Sequence, residues 1–179
     1  MQYRRAFVPG GRYFFTVVTG KRRKIFNDNE SIGALREAFR RVRNKWPFSI
    51  DAAVVLPDHL HCIWSLPPGD HDFSVRWRLI KTFFTKDYYG IHPSALEDGN
   101  PMKRRQSVWQ HRFWEHMLRD DEDFRYHVEY IHYNPVKHGY ADSPGGWACS
   151  SFSRYVKKGL YPENWGAGGI EFKDNIGSE

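Results

Sequence analysis

The 179-residue chain is 40% hydrophobic and carries a formal charge of +6, with a pI near 9.3. That length suits one domain with its own core plus peripheral segments. No apolar run approaches the roughly 20 residues of a membrane helix, residues 1–10 lack the apolar centre of a secretory signal, and two cysteines, Cys62 and Cys149, make no disulfide framework. The expectation is a soluble, cytoplasmic protein without a membrane partner. Aromatic residues reach 17% of the chain. Rings that stack on bases and cations that track phosphates suit a single-strand nucleic-acid binder. A basic globular protein with an aromatic core accounts for the same composition equally well.

Residues 12–19 (RYFFTVVT) are β-branched and aromatic and predict a first strand. A basic loop follows at Lys21, Arg22, Arg23 and Lys24. Helical spacing of Ile32, Leu35, Ala38, Phe39 and Val42 predicts a helix over 28–44, capped by Asn27 or Asp28 and followed by Pro47. Residues 48–56 and 59–66 predict two strands joined at Pro57-Asp58, an antiparallel hairpin. A second helix is expected over 73–89, with Val75, Leu79, Ile80, Phe83 and Phe84 inward and Arg76, Arg78, Lys81 and Lys86 outside. Residues 90–107 are polar, contain Pro93, Gly99 and Pro101, and suit a mobile loop. A fourth strand lies within 108–119. The acidic run Asp120-Asp121-Glu122-Asp123 starts a third helix, which Pro135 disturbs or ends. Residues after Gly139 are irregular, and 166–179 suit a loose tail. This order predicts an α+β fold: an antiparallel sheet with helices packed on one face, of the ferredoxin or RNA-recognition type.

Chemistry gathers at His59-Leu60-His61. Strand side chains alternate, so both histidines share one face while Leu60, Cys62 and Trp64 point to the other. Two imidazoles on one face are half of a metal site. The third helix can supply more. At about 100° per residue, Phe124, Val128 and Ile131 form its buried stripe. Arg125, Glu129 and His132 fall on the polar side, and His127, Tyr130 and Asn134 share one edge of the stripe. Singly, each of those three has an ordinary structural role open to it, as do Tyr126 and Tyr133. A histidine-triad hydrolase would need a further histidine where Ile63 stands. A two-histidine phosphodiesterase would need separated His-x-Ser/Thr motifs. A zinc hydrolase would need another ligand, and Asp58 alternates to the opposite side from His59. Two unrelated core histidines also remain open.

The chain resembles the REP-associated tyrosine transposases, a branch of the single-tyrosine HUH transposases of bacterial insertion sequences. The resemblance rests on Pro9-Gly10-Gly11 with Tyr13-Phe14-Phe15-Thr16-Val17, on Val54-Val55-Leu56-Pro57-Asp58-His59-Leu60-His61-Cys62-Ile63-Trp64, and on Phe113-Trp114-Glu115-His116. It continues through Tyr130-Ile131-His132-Tyr133-Asn134-Pro135-Val136-Lys137-His138-Gly139, Ser150-Ser151-Phe152 and Gly159-Leu160-Tyr161-Pro162. It implies an HUH catalytic core at about 10–140 and a DNA-contacting extension at about 141–165, together a single domain over 1–165. It implies that Tyr130 is the nucleophile and that His59 and His61 bind Mg²⁺ or Mn²⁺, helped by Asn134, where mobile relatives often carry Gln. It implies cleavage and rejoining of single-stranded DNA at repetitive extragenic palindromes, which fold into hairpins. Phosphate contacts are then expected from Arg4, Arg5, Arg12, Lys21, Arg22, Arg23, Arg76, Arg78, Lys81, Arg104 and Arg105, and base stacking from Trp109, Trp114 or Trp147. A monomer is expected over a homodimer. The rival readings are a mobile-element transposase acting as a dimer and a catalytically silent DNA-binding regulator.

Overall fold

Every residue of the first strand is apolar or β-branched after Arg12, and that strand becomes the centre of the sheet. The computed structural model describes residues 7–95 and 108–172. Strand β1 (Arg12–Val18) lies between β3 (His59–Ser65) and β4 (Trp114–Met117), and β2 (Ser49–Val55) pairs with β3 at one edge. The order β2-β3-β1-β4 is antiparallel throughout. The β2–β3 hairpin turns at Pro57-Asp58, where the Leu56 N–H donates to the His59 carbonyl at 2.8 Å. A register shift between Ile50 and Ala52 bulges the edge strand.

Alternation along β1 and β3 divides the core in two. Tyr13, Phe15, Val17, Leu60, Cys62 and Trp64 face helices α1 (Asn29–Lys45) and α2 (Phe73–Ile91). Asp28 caps α1 by accepting the Ser31 N–H at 2.7 Å, and Asp72 caps α2 by accepting the Val75 N–H at 3.1 Å. Trp77 of α2 stacks on Trp64 with centroids 4.4 Å apart and anchors that helix on the sheet. A buried aromatic pair of this kind adds about 0.5–1.5 kcal/mol beyond the area it buries.

Phe14, Val54 and Ile63 face the other way, onto Val128 and Ile131 of α3 (Asp121–Lys137). The expectation of helices on one face is therefore corrected: two helices cover one face and the third covers the other. The physical reason is that β1 and β3 are apolar on both faces, so each face needs a cover. Helix α3 starts at Asp120, whose side chain accepts the Asp123 N–H at 2.8 Å. It runs through Pro135 to Lys137, although Pro135 has no N–H for the Ile131 carbonyl. The turn after it closes with Gly139 at φ +68°, a conformation natural to glycine.

A short helix α4 (Phe152–Lys157) replaces the irregular stretch expected there. Ser151, just before it, joins the edge strand, since its N–H donates to the Ala53 carbonyl and its Oγ accepts the Ala53 N–H, at 2.8 and 2.9 Å. It also corrects the reading of His132. That ring is fully buried, with Nε2 2.8 Å from Ser151 Oγ and Tyr155 of α4 at 4.6 Å, so it faces α4 and not solvent. Burial drives the His132 pKa down to about 3.

Helix α2 is rotated relative to the sequence expectation. Arg76 is 1% exposed and Lys81 is 5% exposed, so neither is an outside residue. Arg76 donates to both Asp70 carboxylate oxygens and to the carbonyls of Trp46, Pro47 and Asp72. Lys81 Nζ donates to the Gln110 carbonyl at 3.1 Å and lies over the rings of Trp109 and Phe113. Most of the loop expected over 90–107 and the far end of the tail lie outside the described residues.

Candidate active site

The site begins with the alternation of β3. His59 and His61 are 1% and 0% exposed, and their ring centroids are 5.0 Å apart. Each ring uses Nδ1 inside the protein. His59 Nδ1–H donates to Asp58 Oδ1 at 2.7 Å. His61 Nδ1 lies 2.9 Å from Oγ1 of Thr16, its register partner on β1. Nε2 is then the ligating nitrogen that both rings can present, and a fixed Nδ1 partner is what orients a metal-binding histidine.

The Asp58 contact corrects the reading that this carboxylate points away from His59. Asp58 belongs to the turn, and β3 starts at His59, so strand alternation does not govern it. Burial alone would raise the Asp58 carboxyl. Hydrogen bonds from His59 and Arg22 outweigh that and hold it below its usual value. Arg22 Nη1 donates to Asp58 Oδ2 at 3.2 Å from the basic loop after β1. Lys21 and Arg22 both take positive φ, 54° and 51°, which is rare for residues with a side chain.

Helix α3 places Tyr130 beside His61, and it buries both Tyr130 and Asn134, which are 2% and 0% exposed. The Tyr130 ring is 5.4 Å from His61 and 6.1 Å from Phe14, which stacks on His61 at 5.4 Å. Tyr126 and Tyr133 face Phe172 instead, which also stands edge-on to Tyr130 at 5.6 Å. His127 does what an ordinary helix histidine does: its Nδ1–H donates to the Asp123 carbonyl at 2.8 Å. It also packs on Phe14 at 4.8 Å.

Two further residues of the Tyr130–Gly139 run, Lys137 and His138, also reach the site. Lys137 Nζ donates to Tyr130 Oη at 3.0 Å and sits 4.8 Å above the same ring. The signal for it was the spacing, because residues seven apart share a helix face. The His138 ring is 5.2 Å from His59. Two imidazoles anchored through Nδ1, with the His138 ring beside His59, are a donor set that suits a divalent cation with open positions.

A profile described as Transposase IS200 like matches residues 8–134. A REP-associated tyrosine transposase of Escherichia coli is 44% identical over 171 residues, 96% of this chain and 94% of that protein. The chain belongs to the IS200-like transposases, and within them to the REP-associated tyrosine transposases. A relative from Haemophilus influenzae is 41% identical over 167 residues, covering 92% of each chain. The solved structure of a REP-associated tyrosine transposase bound to a REP hairpin superposes with a TM-score of 0.80 at 42% identity, covering 98% of this chain and 97% of that one.

The basic residues expected at DNA divide into three groups. Arg12, Lys21, Arg22 and Arg78 are exposed and Arg23 is half-buried. Arg12 lies over the Phe124 ring at 4.9 Å, near the start of α3. Arg76 and Lys81 are enclosed, so the expectation of phosphate contacts from them is overturned. Arg4, Arg5, Arg104 and Arg105 lie outside the described residues. Of the three tryptophans, Trp109 is core, packed on Phe26 and Phe84. Trp114 is half-buried edge-on to Phe14, and Trp147 Nε1–H donates to the Val55 carbonyl at 2.9 Å. Among the described residues no helix is long and apolar enough to cross a membrane.

Proposed function

We propose that the chain is a metal-dependent single-strand DNA endonuclease and strand transferase that cleaves and rejoins DNA at repetitive extragenic palindrome hairpins through a 5′-phosphotyrosine intermediate. The observation that carries this reading is the Tyr130 ring 5.4 Å from His61, on the face that His59 shares. A hairpin partner is supported by the hairpin-bound relative at 42% identity. We assign His59, His61 and Asn134 as ligands of Mg²⁺ or Mn²⁺, and Tyr130 as the catalytic residue. Such a cation, when bound, supplies a Lewis acid for a non-bridging oxygen of the scissile phosphate.

The protein's own groups do the rest. Asp58 holds His59 in its Nδ1–H tautomer, and Thr16 holds the orientation of the His61 ring. Tyr130 Oη attacks phosphorus in line, its phenolic proton is released, and the 3′ oxygen leaves as a hydroxyl. A tyrosine hydroxyl ordinarily titrates near 10 and is a weak nucleophile at neutral pH. The Lys137 ammonium beside Oη stabilises the negative charge that develops as the proton departs. The phosphodiester is exchanged, not hydrolysed, so a later 3′ hydroxyl can reverse the step and join new ends. Arg12, Lys21, Arg22, Arg23 and Arg78 remain candidates for phosphate contacts, with Arg4, Arg5, Arg104 and Arg105. Tyr130 approaches His61 of its own chain, which supports action as a monomer; we place that monomer in the cytoplasm, as one domain over 1–165 whose expected tail at 166–179 packs back on α3 through Phe172.

The test is covalent capture. Wild-type protein with a hairpin-bearing single-stranded oligonucleotide and Mn²⁺ should give an adduct that survives denaturing electrophoresis. Tyr130→Phe should give none while binding the hairpin with nearly the wild-type Kd. An adduct from that variant would mean that the nucleophile is another residue. A wild-type protein that binds the hairpin and never cleaves would leave the silent regulator as the correct reading.

A further inference from the structure

A second group of metal-ligating side chains lies beside the active site and takes no part in the proposed cleavage chemistry. His116 stands on β4, the short edge strand, and Asp123 and His127 stand four residues apart on α3. One ligand atom from each lies within 4.8 Å of the others. His116 Nε2 is 2.9 Å from Asp123 Oδ2, and His127 Nδ1 is 3.1 Å from Asp123 Oδ1. The two imidazoles stack with centroids 4.8 Å apart and planes 19° from parallel. The side chains of Asp123 and His127 are 8% and 7% exposed, and that of His116 is 28% exposed.

We propose that His116, Asp123 and His127 form a second cation site, distinct from the His59–His61 site, that takes zinc or a similar borderline divalent ion and fastens β4 to the helix carrying Tyr130. Two imidazoles and one carboxylate are a zinc donor set, with a fourth position for water. Tetrahedral bonds of about 2.0–2.1 Å place donor atoms about 3.3–3.4 Å apart. The two separations, 2.9 Å to Oδ2 and 3.1 Å to Oδ1 of the same carboxylate, are within a few tenths of an ångström of that, and the ligand atoms all lie within 4.8 Å, so side-chain adjustment brings them around one ion. The spacing is also suitable: Asp and His at i and i+4 share one helix face, and the third ligand comes from a neighbouring strand.

The surroundings prepare the ligands. Asp123 Oδ2 accepts the Arg119 backbone N–H at 3.1 Å and Arg119 Nε–H at 3.3 Å, which orients the carboxylate from outside. Burial would raise the Asp123 carboxyl, and hydrogen bonds from His116 and Arg119 outweigh it, so the group is a carboxylate at neutral pH. Burial lowers the His127 pKa and keeps that ring neutral; ligation through Nδ1 moves its proton to Nε2 and gives up the bond to the Asp123 carbonyl. Magnesium fits poorly, because it prefers oxygen ligands and keeps most of its waters.

The site is close to the chemistry without being part of it. A chain of rings runs from His116 to His127, then Phe14 at 4.8 Å and His61 at 5.4 Å. His127 is also one helical turn before Tyr130. An ion here would hold the first half of α3 against an edge strand of only four residues.

The test uses the full chain and reads metal binding directly. With His59→Ala and His61→Ala in place, zinc titrated in a calorimeter should bind one ion per chain, and cobalt should show the intense visible absorption of a tetrahedral site. Adding His116→Gln, a change at the most exposed ligand, should abolish both signals and leave the circular dichroism spectrum intact. Should the combined variant fail to fold, the stoichiometry in the otherwise wild-type chain should fall from two ions to one with His116→Gln alone. Absence of zinc binding in the His59→Ala, His61→Ala protein overturns the site. So does binding that survives His116→Gln, or that disappears with Cys149→Ser, which would place the ion elsewhere. Because the catalytic histidines are absent from the main arm, failure here leaves the proposed cleavage chemistry untouched.

Discussion

Replacing Arg76 by methionine separates a structural cation from a DNA-binding one. The guanidinium donates to Asp70 Oδ1 and Oδ2 at 3.1 and 2.5 Å and to the carbonyls of Asp72, Pro47 and Trp46 at 2.9, 2.8 and 3.3 Å. Methionine keeps much of the packing against Phe48, whose ring lies 5.9 Å from Arg76 Cζ, but removes all five donors. Breaking one side of a buried ion pair costs about 3–5 kcal/mol. Asp70 is 28% exposed and keeps the Asp72 N–H, so the low end, about 3 kcal/mol, applies. For a domain of this size that corresponds to roughly 6–12 °C in Tm. Asp70 also ties the loss to pH. Its carboxyl is held below the usual value chiefly by the hydrogen bond from Arg76. The sign follows: this stabilisation is complete above the ordinary carboxylate pKa of about 4 and is lost as pH falls through the lower folded value. Arg76→Met should therefore be less stable at pH 7 and show a smaller further loss on acidification. The assays are thermal melts across pH and hairpin binding as a function of salt. Arg76→Met should leave the slope of log K against log salt unchanged, whereas Arg78→Met, at an exposed position of the same helix, should reduce it by about 0.7 if it meets a phosphate of a single strand. An unchanged Tm together with a reduced salt slope for Arg76→Met would refute the placement of this side chain.

Asp58→Asn should weaken metal affinity about 10–100-fold, because it removes the carboxylate that orients His59. The Mn²⁺ concentration for half-maximal cleavage reads this, and an unchanged value would sever Asp58 from the site. Lys137→Met should slow single-turnover cleavage by roughly 10–100-fold, the worth of one hydrogen bond to a charged group, with hairpin Kd nearly unchanged. Lys137→Arg should recover part of the rate, and equal losses in both variants would argue against a charge at Oη. Asn134→Ala should raise the Mn²⁺ requirement more than His138→Ala does. The reverse order would make His138, 5.2 Å from His59, the third ligand.

The antiparallel sheet and the strand faces were legible in the sequence, and the arrangement of layers around them was less so. Strand alternation at His59-Leu60-His61 and the 3.6-residue period at Tyr130 are local rules, and the fold brings the faces they predict together, His61 against Tyr130 and Leu60 into the other layer. Helix α2 defeats the same rule because it is apolar almost all round. Val75, Trp77, Leu79, Ile80, Phe83 and Phe84 allow more than one phase, and Trp77 on Trp64 selects the phase that turns Arg76 and Lys81 inward. Their partners, Asp70, Trp46 and Gln110, come from loops that no helical period reveals. His132 has the same history: a polar position on an isolated helix becomes interior once Ser151 and Tyr155 arrive from α4. A strand that is apolar on both sides announces two covered faces, and β1 carries that pattern in Phe14 and Phe15.

The basic loop after β1 joins the two kinds of legibility. Lys21 and Arg22 hold φ of 54° and 51°, conformations that cost of order 1–3 kcal/mol each for residues other than glycine. Glycine would relieve that cost, but it would remove the guanidinium that reaches Asp58 Oδ2 at 3.2 Å. Asp58 in turn fixes the tautomer of His59 at 2.7 Å. The same turn is anchored from the residue after β1, since Thr19 donates its N–H to the Asp58 carbonyl at 2.9 Å and its Oγ1–H lies between the carbonyls of Asp58 and Arg23, at 2.9 and 2.8 Å. A run that the sequence presents as four solvated cations is thus divided in function. Lys21, Arg22 and Lys24 are all exposed, but Arg22 also reaches back to Asp58 and becomes the outermost part of the chain of contacts that orients His59. The strain is retained where relaxing it would let His59 turn, and a freely turning His59 would no longer present Nε2 beside His61.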